Sequence, residues 1–505
     1  MSASIKVFVV AALGLVFAVL IGSQLGSGSW TIPLIIVGSC LLGVVLHLFA
    51  KGVRPEALIL GFLFIGYIVG NRGFANISLS RTLPLYLGEV SLIACAAIMF
   101  CRRAFTRQRM IPKTFLGRAI TAFVVIGALR TLYDLERGAF EFATIVRDAA
   151  TVYYALFFYI GYYLGNHPKS RAVLDRAIVF AFVLLIPAFV VSAFWPDALL
   201  HLTLRGYPLI LLKGDLAATF LGIGSFYLFL SSDHYRRKPL WIAGSLILFG
   251  LMAMGLMRAA VVGFMLATVL LLYASEWRLL RWQIGVGLLA AIILMLVQNA
   301  STTSREENFL VRITDRLYSM TDPFGTKQYR LSSTSSSLNN TRFRTEWWLA
   351  VWRQTIDKGP ITGLGFGYDL ASRFLMSYDL PLERDFTTRS PHGIFVTVLG
   401  RMGFIGLISF TVVCVGVFSA AFRRASLVRR RKLPAYELRH WCAVLMILGA
   451  ATFGVVLEGP MGGVLFWSLL GLACSEPNIA ETPRSRKQLI VPTNLPEATK
   501  EPISV

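Results

Sequence analysis

VLDRAIVFAFVLLIPAFVVSAF occupies residues 173–194, and after Arg176 it carries no charge. It is long enough to cross the roughly 30 Å hydrocarbon layer of a bilayer as a helix. Comparable apolar runs lie near 6–25, 30–50, 55–70, 83–101, 115–133, 149–165, 214–231, 239–256, 259–274, 282–299, 393–422, 438–457 and 461–475. The 393–422 run exceeds one upright span, so it is expected to begin as an interfacial segment over 393–402 and only then cross. The 505 residues are 56% hydrophobic and 15% charged. An average soluble protein has about 25% charged residues. A water-soluble fold has no place for so much apolar surface, which excludes an ordinary soluble enzyme, a disordered chain and a fibre. The expected fold class is an all-α polytopic integral membrane protein with about 12–14 transmembrane helices and one long extracytoplasmic loop.

Lys and Arg number 49 against 27 Asp and Glu, a net charge of +22. In a soluble protein such an excess suggests nucleic acid. In a membrane protein it follows first from the collection of basic residues in cytoplasmic loops. With the N-terminus inside and the spans alternating, the inside segments hold Lys51 and Arg54, Arg102 to Lys113, Lys169 and Arg171, Arg236 to Lys238, Arg278 and Arg281. RRASLVRRRK at 423–432 and the tail with Arg484, Arg486 and Lys487 also fall inside. Both termini are therefore expected in the cytoplasm, and no nucleic-acid partner is expected. The opening MSASIKVFVVAALGLVFAVLIG reads as a first span rather than a cleaved leader. The six cysteines have no CxxC spacing, so neither a disulfide framework nor a zinc site is expected.

The outside receives 134–148, 195–213, a tight turn around Arg258 and a long stretch from about 300 to 391. The chain thus divides into N-terminal spans (1–299), an extracytoplasmic loop with short helices (300–391), C-terminal spans (392–475) and a disordered cytoplasmic tail (476–505). Within the loop, TSSSLNN (334–340) reads as flexible and TEWWLAVWRQTIDKG (345–359) as a helix. Trp348, Val351, Trp352, Thr355 and Ile356 share one helical face there. Gly359-Pro360 stops the helix, and GLGFG (363–367) makes a tight turn.

His392, in SPHGIFVTVLGRMGFIGL, stands where the loop re-enters the membrane. Its imidazole can take a proton from a hydroxyl near neutral pH, or it can be an interfacial histidine that only bonds the loop. Arg258, in MAMGLMRAAVVG, is an arginine in an apolar stretch. It reads either as a phosphate-binding fork or as a snorkelling residue at a turn. Arg205, with Lys213 and Asp215 nearby, is either part of an anion site or an exposed loop charge. Arg147 is read foremost as an ion-pair partner of the adjacent Asp148, and Arg342 and Arg344 precede the tryptophan helix. No P-loop, HExxH, GxSxG or metal-ligand cluster occurs in the sequence.

Four segments together resemble the O-antigen ligase superfamily, which includes Wzy-type polysaccharide polymerases. They are LRGYPLILLKGDLAATFLG (204–222), GLMRAAVVGF (255–264), RTEWWLAVWRQTIDKGPITGLGFG (344–367) and PHGIFVTVLGRMGFIGLI (391–408). The resemblance implies a GT-C-like membrane fold and an inverting, metal-independent glycosyltransferase without cofactor in a bacterial inner membrane. The implied donor is a glycan on undecaprenyl pyrophosphate. The implied acceptor is a lipid A-core sugar or a growing polysaccharide, in lipopolysaccharide or exopolysaccharide biosynthesis, among membrane lipid and polysaccharide assembly partners. His392 would activate the acceptor, Arg205 and Arg258 would hold the pyrophosphate, and Arg147 and Arg344 would line the same cavity. A lipid-linked polysaccharide transporter or flippase, or a non-catalytic component of an exopolysaccharide assembly system, is the rival reading. Transporters place their polar chemistry near the midplane, and few polar residues fall mid-span here.

Overall fold

The computed structural model describes residues 52–78, 85–105, 112–204, 207–233, 238–255, 257–285, 332–371 and 390–475. The expected spans at 6–25 and 30–50, nearly all of 282–299, most of the outer loop, the tail after 475 and Arg205 lie outside them.

The described chain is built almost wholly of helices: α1 Pro55–Ile65, α2 Leu87–Phe105, α3 Phe115–Arg137, α4 Phe142–Asp148, α5 Phe157–Gly165, α6 Pro168–Phe194, α7 Gly214–Ser231, α8 Lys238–Gly255, α9 Arg258–Tyr273, α10 Ser332–Lys358, α11 Ile394–Arg429, α12 Arg439–Ala451 and α13 Pro460–Cys474. One small ribbon, Thr203–Leu204 against Tyr207–Pro208, precedes α7. Among the described residues α3, α6, α7 and α11 have the length and hydropathy of membrane spans. Pro55–Gly70, Lys238–Ala253, α9 and α13 are shorter apolar helices. The molecule is an all-α membrane protein.

Burial sorts these helices into layers. Every residue of α12 is buried, and α7 and α13 are nearly so. α3 and α6 are only 33% buried in their most apolar windows, so much of their apolar surface faces lipid. Close packing of the central helices depends on small residues that let backbones approach. A Cβ on Gly161 would stand 2.2 Å from the Ser468 carbonyl, and one on Gly263 2.3 Å from that of Met446.

A buried ionic network ties the opposite end of the bundle from His392. Asp175 of α6 accepts from the Tyr227 hydroxyl of α7 (2.9 Å) and pairs with Arg439 and His440 of α12 (2.5 and 3.0 Å). Glu437 pairs with Arg424 of α11 at 2.9 Å and with Arg171 at 3.6 Å.

α11 is broken at Gly403, whose φ of 63° and ψ of −158° are non-helical. This separates residues 394–402 from the span proper, at the point where the long apolar run was expected to bend. TSSSLNN, expected to be flexible, is instead helical as the start of α10. Once the tryptophan segment is docked, each residue added to its N-terminal end gains a hydrogen bond without a new nucleation cost.

Candidate functional site

α10 lies along the first segment of α11 and is fastened there by its tryptophans. Trp347 is fully buried, and its indole N–H donates to the Leu370 carbonyl at 2.8 Å. Trp348 donates to the Pro391 carbonyl at 2.5 Å. The buried face therefore runs through Trp347, Val351, Gln354 and Thr355. Trp352 and Ile356, expected on that face, are 46% and 40% exposed. Satisfying the Trp347 N–H rotates the helix away from the purely apolar choice.

This docking places His392. Its φ is 56°, a left-handed conformation unusual outside glycine. Its ring meets the Trp347 ring edge-on at 5.7 Å. The next residue has little room, because a Cβ on Gly393 would lie 3.1 Å from Trp348 and 3.2 Å from the Thr452 carbonyl. Glu458, in the turn between α12 and α13, fixes the approach. It accepts from Ser390 (3.0 Å), Thr397 (2.9 Å) and the Val456 N–H (3.1 Å). Burial pushes its carboxyl above the ordinary range, and those hydrogen bonds oppose the push.

Cations gather on the same spot. Arg344, two helical positions past Arg342, donates to the Phe453 carbonyl at 2.6 Å. Arg258 is the first residue of α9, and Lys213 caps the start of α7. Lys213 lies 3.6 Å from Asp215. The Lys213 loop is held by the Asn71 side chain, which accepts from the Lys213 N–H at 3.1 Å. Burial lowers the Arg344 guanidinium, with Asp215 opposing and Arg258 adding to the effect. His392 is pushed down to about 4, first by burial, then by Arg344 and Lys213, against Asp215 and the Ser390 main chain. Its Nδ1 is buried and finds no hydrogen-bond partner among the described residues. These groups sense one another's charge, so three of the expected residues, His392, Arg258 and Arg344, share one electropositive site. The starts of α7 and α9 lie together, since a Cβ on Gly214 would stand 3.1 Å from Met257, and their helix ends add partial positive charge. The arrangement can hold a multiply charged phosphate beside an unprotonated imidazole.

Arg147 behaves differently from expectation. It is exposed at the end of α4, while Asp148 pairs with Arg401 of α11 at 2.8 Å. Adjacent helical residues do not face each other, so an Arg147–Asp148 pair has no favourable geometry. Asp148 also accepts from the Gly367 N–H at 3.0 Å. Asp134, paired with Arg130 at 3.0 Å, accepts from the Phe366 N–H at 2.7 Å. The GLGFG turn is thus clamped to α3, α4 and α11. Gly363, Gly365 and Gly367 all have positive φ, as the turn requires. Arg401 and Glu458 were missed from the sequence, yet the signal that singled out Arg258 applies to both: a charge within an apolar stretch.

Residues 243–411 match the family model described as O-antigen ligase. The matched segment contains Arg258, Arg344, the glycine turn, His392 and Arg401. A comparison with curated proteins found no match. The resemblance to the O-antigen ligase and Wzy-type superfamily is borne out by the family match.

Proposed function

We propose, from the match of residues 243–411 to the O-antigen ligase family model, that this protein is an inverting, metal-independent glycosyltransferase of the ligase or polymerase type. It transfers a glycan from undecaprenyl pyrophosphate to a lipid A-core or growing-polysaccharide hydroxyl at the outer face of the inner membrane. The observation that carries the reading is the convergence of His392 with Lys213, Arg258 and Arg344.

In this reaction the acceptor hydroxyl attacks the anomeric carbon opposite the pyrophosphate. The new oxygen–carbon bond forms as the carbon–oxygen bond to pyrophosphate breaks. His392 takes the hydroxyl proton, and the cations stabilise the charge arriving on the leaving group. With burial and nearby cations holding its pKa well below the usual imidazole range, His392 is unprotonated at neutral pH. Burial, and after it the same cations that bind pyrophosphate, hold that pKa down. A bound pyrophosphate offsets their charge and makes the imidazole a stronger base only when donor is in place. Arg205 is a further pyrophosphate ligand in this reading, and Arg147 a peripheral one. Residues 1–299 and 392–475 form a GT-C-like membrane body, 300–391 the extracytoplasmic loop and 476–505 a tail, with both termini in the cytoplasm.

The test is a surface-polysaccharide gel from a deletion strain rescued with wild type or with His392→Ala. Wild type alone is expected to restore the pattern, with the alanine protein present in the membrane at equal amount. Full rescue by His392→Ala would sink the mechanism and leave the transporter or scaffold reading in its place. Long unattached lipid-linked chains in the deletion lane would assign the ligase, and single repeat units the polymerase.

A further inference from the structure

Beside the glycine turn, two cavities adjoin where α3 meets the far end of α10. The first, about 340 Å³, is lined by Arg130, Tyr133, Arg137, Lys358 and Tyr368 around Asp134. The second, about 430 Å³, is lined by Ile126, Leu129, Met402 and Ile405. The two share Arg130, Tyr133 and Thr362.

Their chemistry is complementary. Asp134 is engaged by Arg130 through two contacts, at 3.0 and 3.1 Å, and so balances one cation. Arg137 and Lys358, both exposed, leave the first cavity net positive. The second lies between α3 and α11, both of which have the length and hydropathy of membrane spans. Its walls include Leu129, 61% exposed, and Ile405, 43% exposed, which lipid must cover. Tyr133 stands at the junction, with Arg130 5.3 Å from its ring centroid. An aromatic belt residue belongs at that level of a bilayer. A cationic mouth above an apolar slot fits an amphiphile with phosphate at its head.

Reaction chemistry decides which amphiphile. In the donor, the bond that breaks joins the anomeric carbon directly to pyrophosphate, so the donor's phosphates must sit beside His392. The unbroken helix α10 carries Arg344 near the reaction centre and Lys358 at the cavity. Fourteen residues separate them, roughly 21 Å at about 1.5 Å per residue. A phosphate held at Lys358 is too far away to be the leaving group. An acceptor has no such restriction, because a sugar chain separates its lipid anchor from its reacting hydroxyl.

We propose that the paired cavity holds the lipid end of the acceptor, a phosphate-bearing glycolipid whose sugar chain extends along α10 to His392. The inference rests on the transferase reading above in its ligase form, where the acceptor is a lipid A-core and not a second glycan on undecaprenyl pyrophosphate.

It is tested by binding without turnover, using full-length protein in phosphatidylcholine nanodiscs. The probes are diphosphoryl lipid A, its dephosphorylated form and undecaprenyl pyrophosphate. Arg137→Glu/Lys358→Glu is expected to weaken diphosphoryl lipid A by about tenfold or more while leaving undecaprenyl pyrophosphate within about twofold. Wild type should discriminate against the dephosphorylated form by a similar factor. Leu129→Trp, which fills the slot without touching the charges, should weaken both lipid A forms. Unchanged lipid A binding in the charge-reversed protein would overturn the proposal. An equal or larger loss of undecaprenyl pyrophosphate would overturn it too, by making the cavity the donor's. Neither result bears on whether His392→Ala abolishes transfer, so a failure here is separable from a failure of the transferase reading.

Discussion

His392 combines a left-handed backbone, an Nδ1 unpartnered among the described residues, and two neighbouring cations. Such combinations of strain and unsatisfied polarity persist where the surrounding structure over-determines them. Here Trp348 holds Pro391, Glu458 holds Ser390, and Trp347 flanks the ring. A pH profile tests the electrostatics. The reactive form is unprotonated, so kcat/KM should be flat through neutrality and fall as pH drops through about 4. Arg344 is one of the groups that lowers this pKa, so Arg344→Gln should raise it and move the acid limb to higher pH. The same substitution should also raise KM for the donor, because in the proposed reaction Arg344 holds the pyrophosphate. An acid limb that stays in place or moves lower in Arg344→Gln would show that the guanidinium does not face His392.

At the scale of elements, the GLGFG turn and the break in α11 form one joint. The Leu364 N–H donates to the Gly400 carbonyl at 2.7 Å, and the Phe404 N–H to that of Pro360 at 2.8 Å. Gly403 fits only because it has no side chain: its φ is 63°, and a Cβ there would stand 2.4 Å from the Ile361 carbonyl. Gly138 has nearly the same φ, 62°, but nothing lies within 4 Å of where its Cβ would be. Gly138, with ψ of 18°, sits in the ordinary left-handed well, whereas Gly403, with ψ of −158°, sits in a region essentially reserved for glycine, so Gly403 adds both heavier strain and a collision. Gly138→Ala should cost about 1 kcal/mol, the strain alone, and Gly403→Ala about 2–4 kcal/mol, with activity lost as α10 is pushed off. Thermal unfolding in detergent measures both. Equal losses would mean that the joint yields and the close approach is unimportant. The turn and the break were legible in advance, since glycines at alternate positions and an over-long apolar run are local signals. The docked face of α10 was not, because apolar periodicity alone does not weigh the hydrogen bond that Trp347 finds on Leu370.

Across the whole molecule, two polar layers sit at opposite ends of an apolar bundle. One is the electropositive site at His392. The other is the buried network of Asp175, Arg439, His440 and Tyr227, which joins α6, α7 and α12. Removing one member of a buried ion pair leaves the other charge uncompensated and costs about 3–5 kcal/mol. Asp175→Asn should therefore lower the unfolding temperature sharply while the protein that remains folded keeps its transfer activity. A loss below about 1 kcal/mol would show that the three helices are held by apolar packing alone.

The sequence by itself determined the membrane class, the positions of the described spans, the helix–turn–histidine order and the candidacy of His392, Arg258 and Arg344. Those are one-dimensional properties: an apolar run long enough for a bilayer, a charge that interrupts it, a glycine where the chain must turn. Tertiary structure alone decided which charges meet. Asp148 pairs with Arg401 rather than with its neighbour Arg147. The Phe366 N–H finds Asp134 across 232 residues of chain, and His440 finds Asp175 across 265. Glu458 reaches back to hold the approach to His392. A charge in an apolar stretch announces that it needs a partner, but the choice of partner depends on which helices pack together, and no local pattern encodes that.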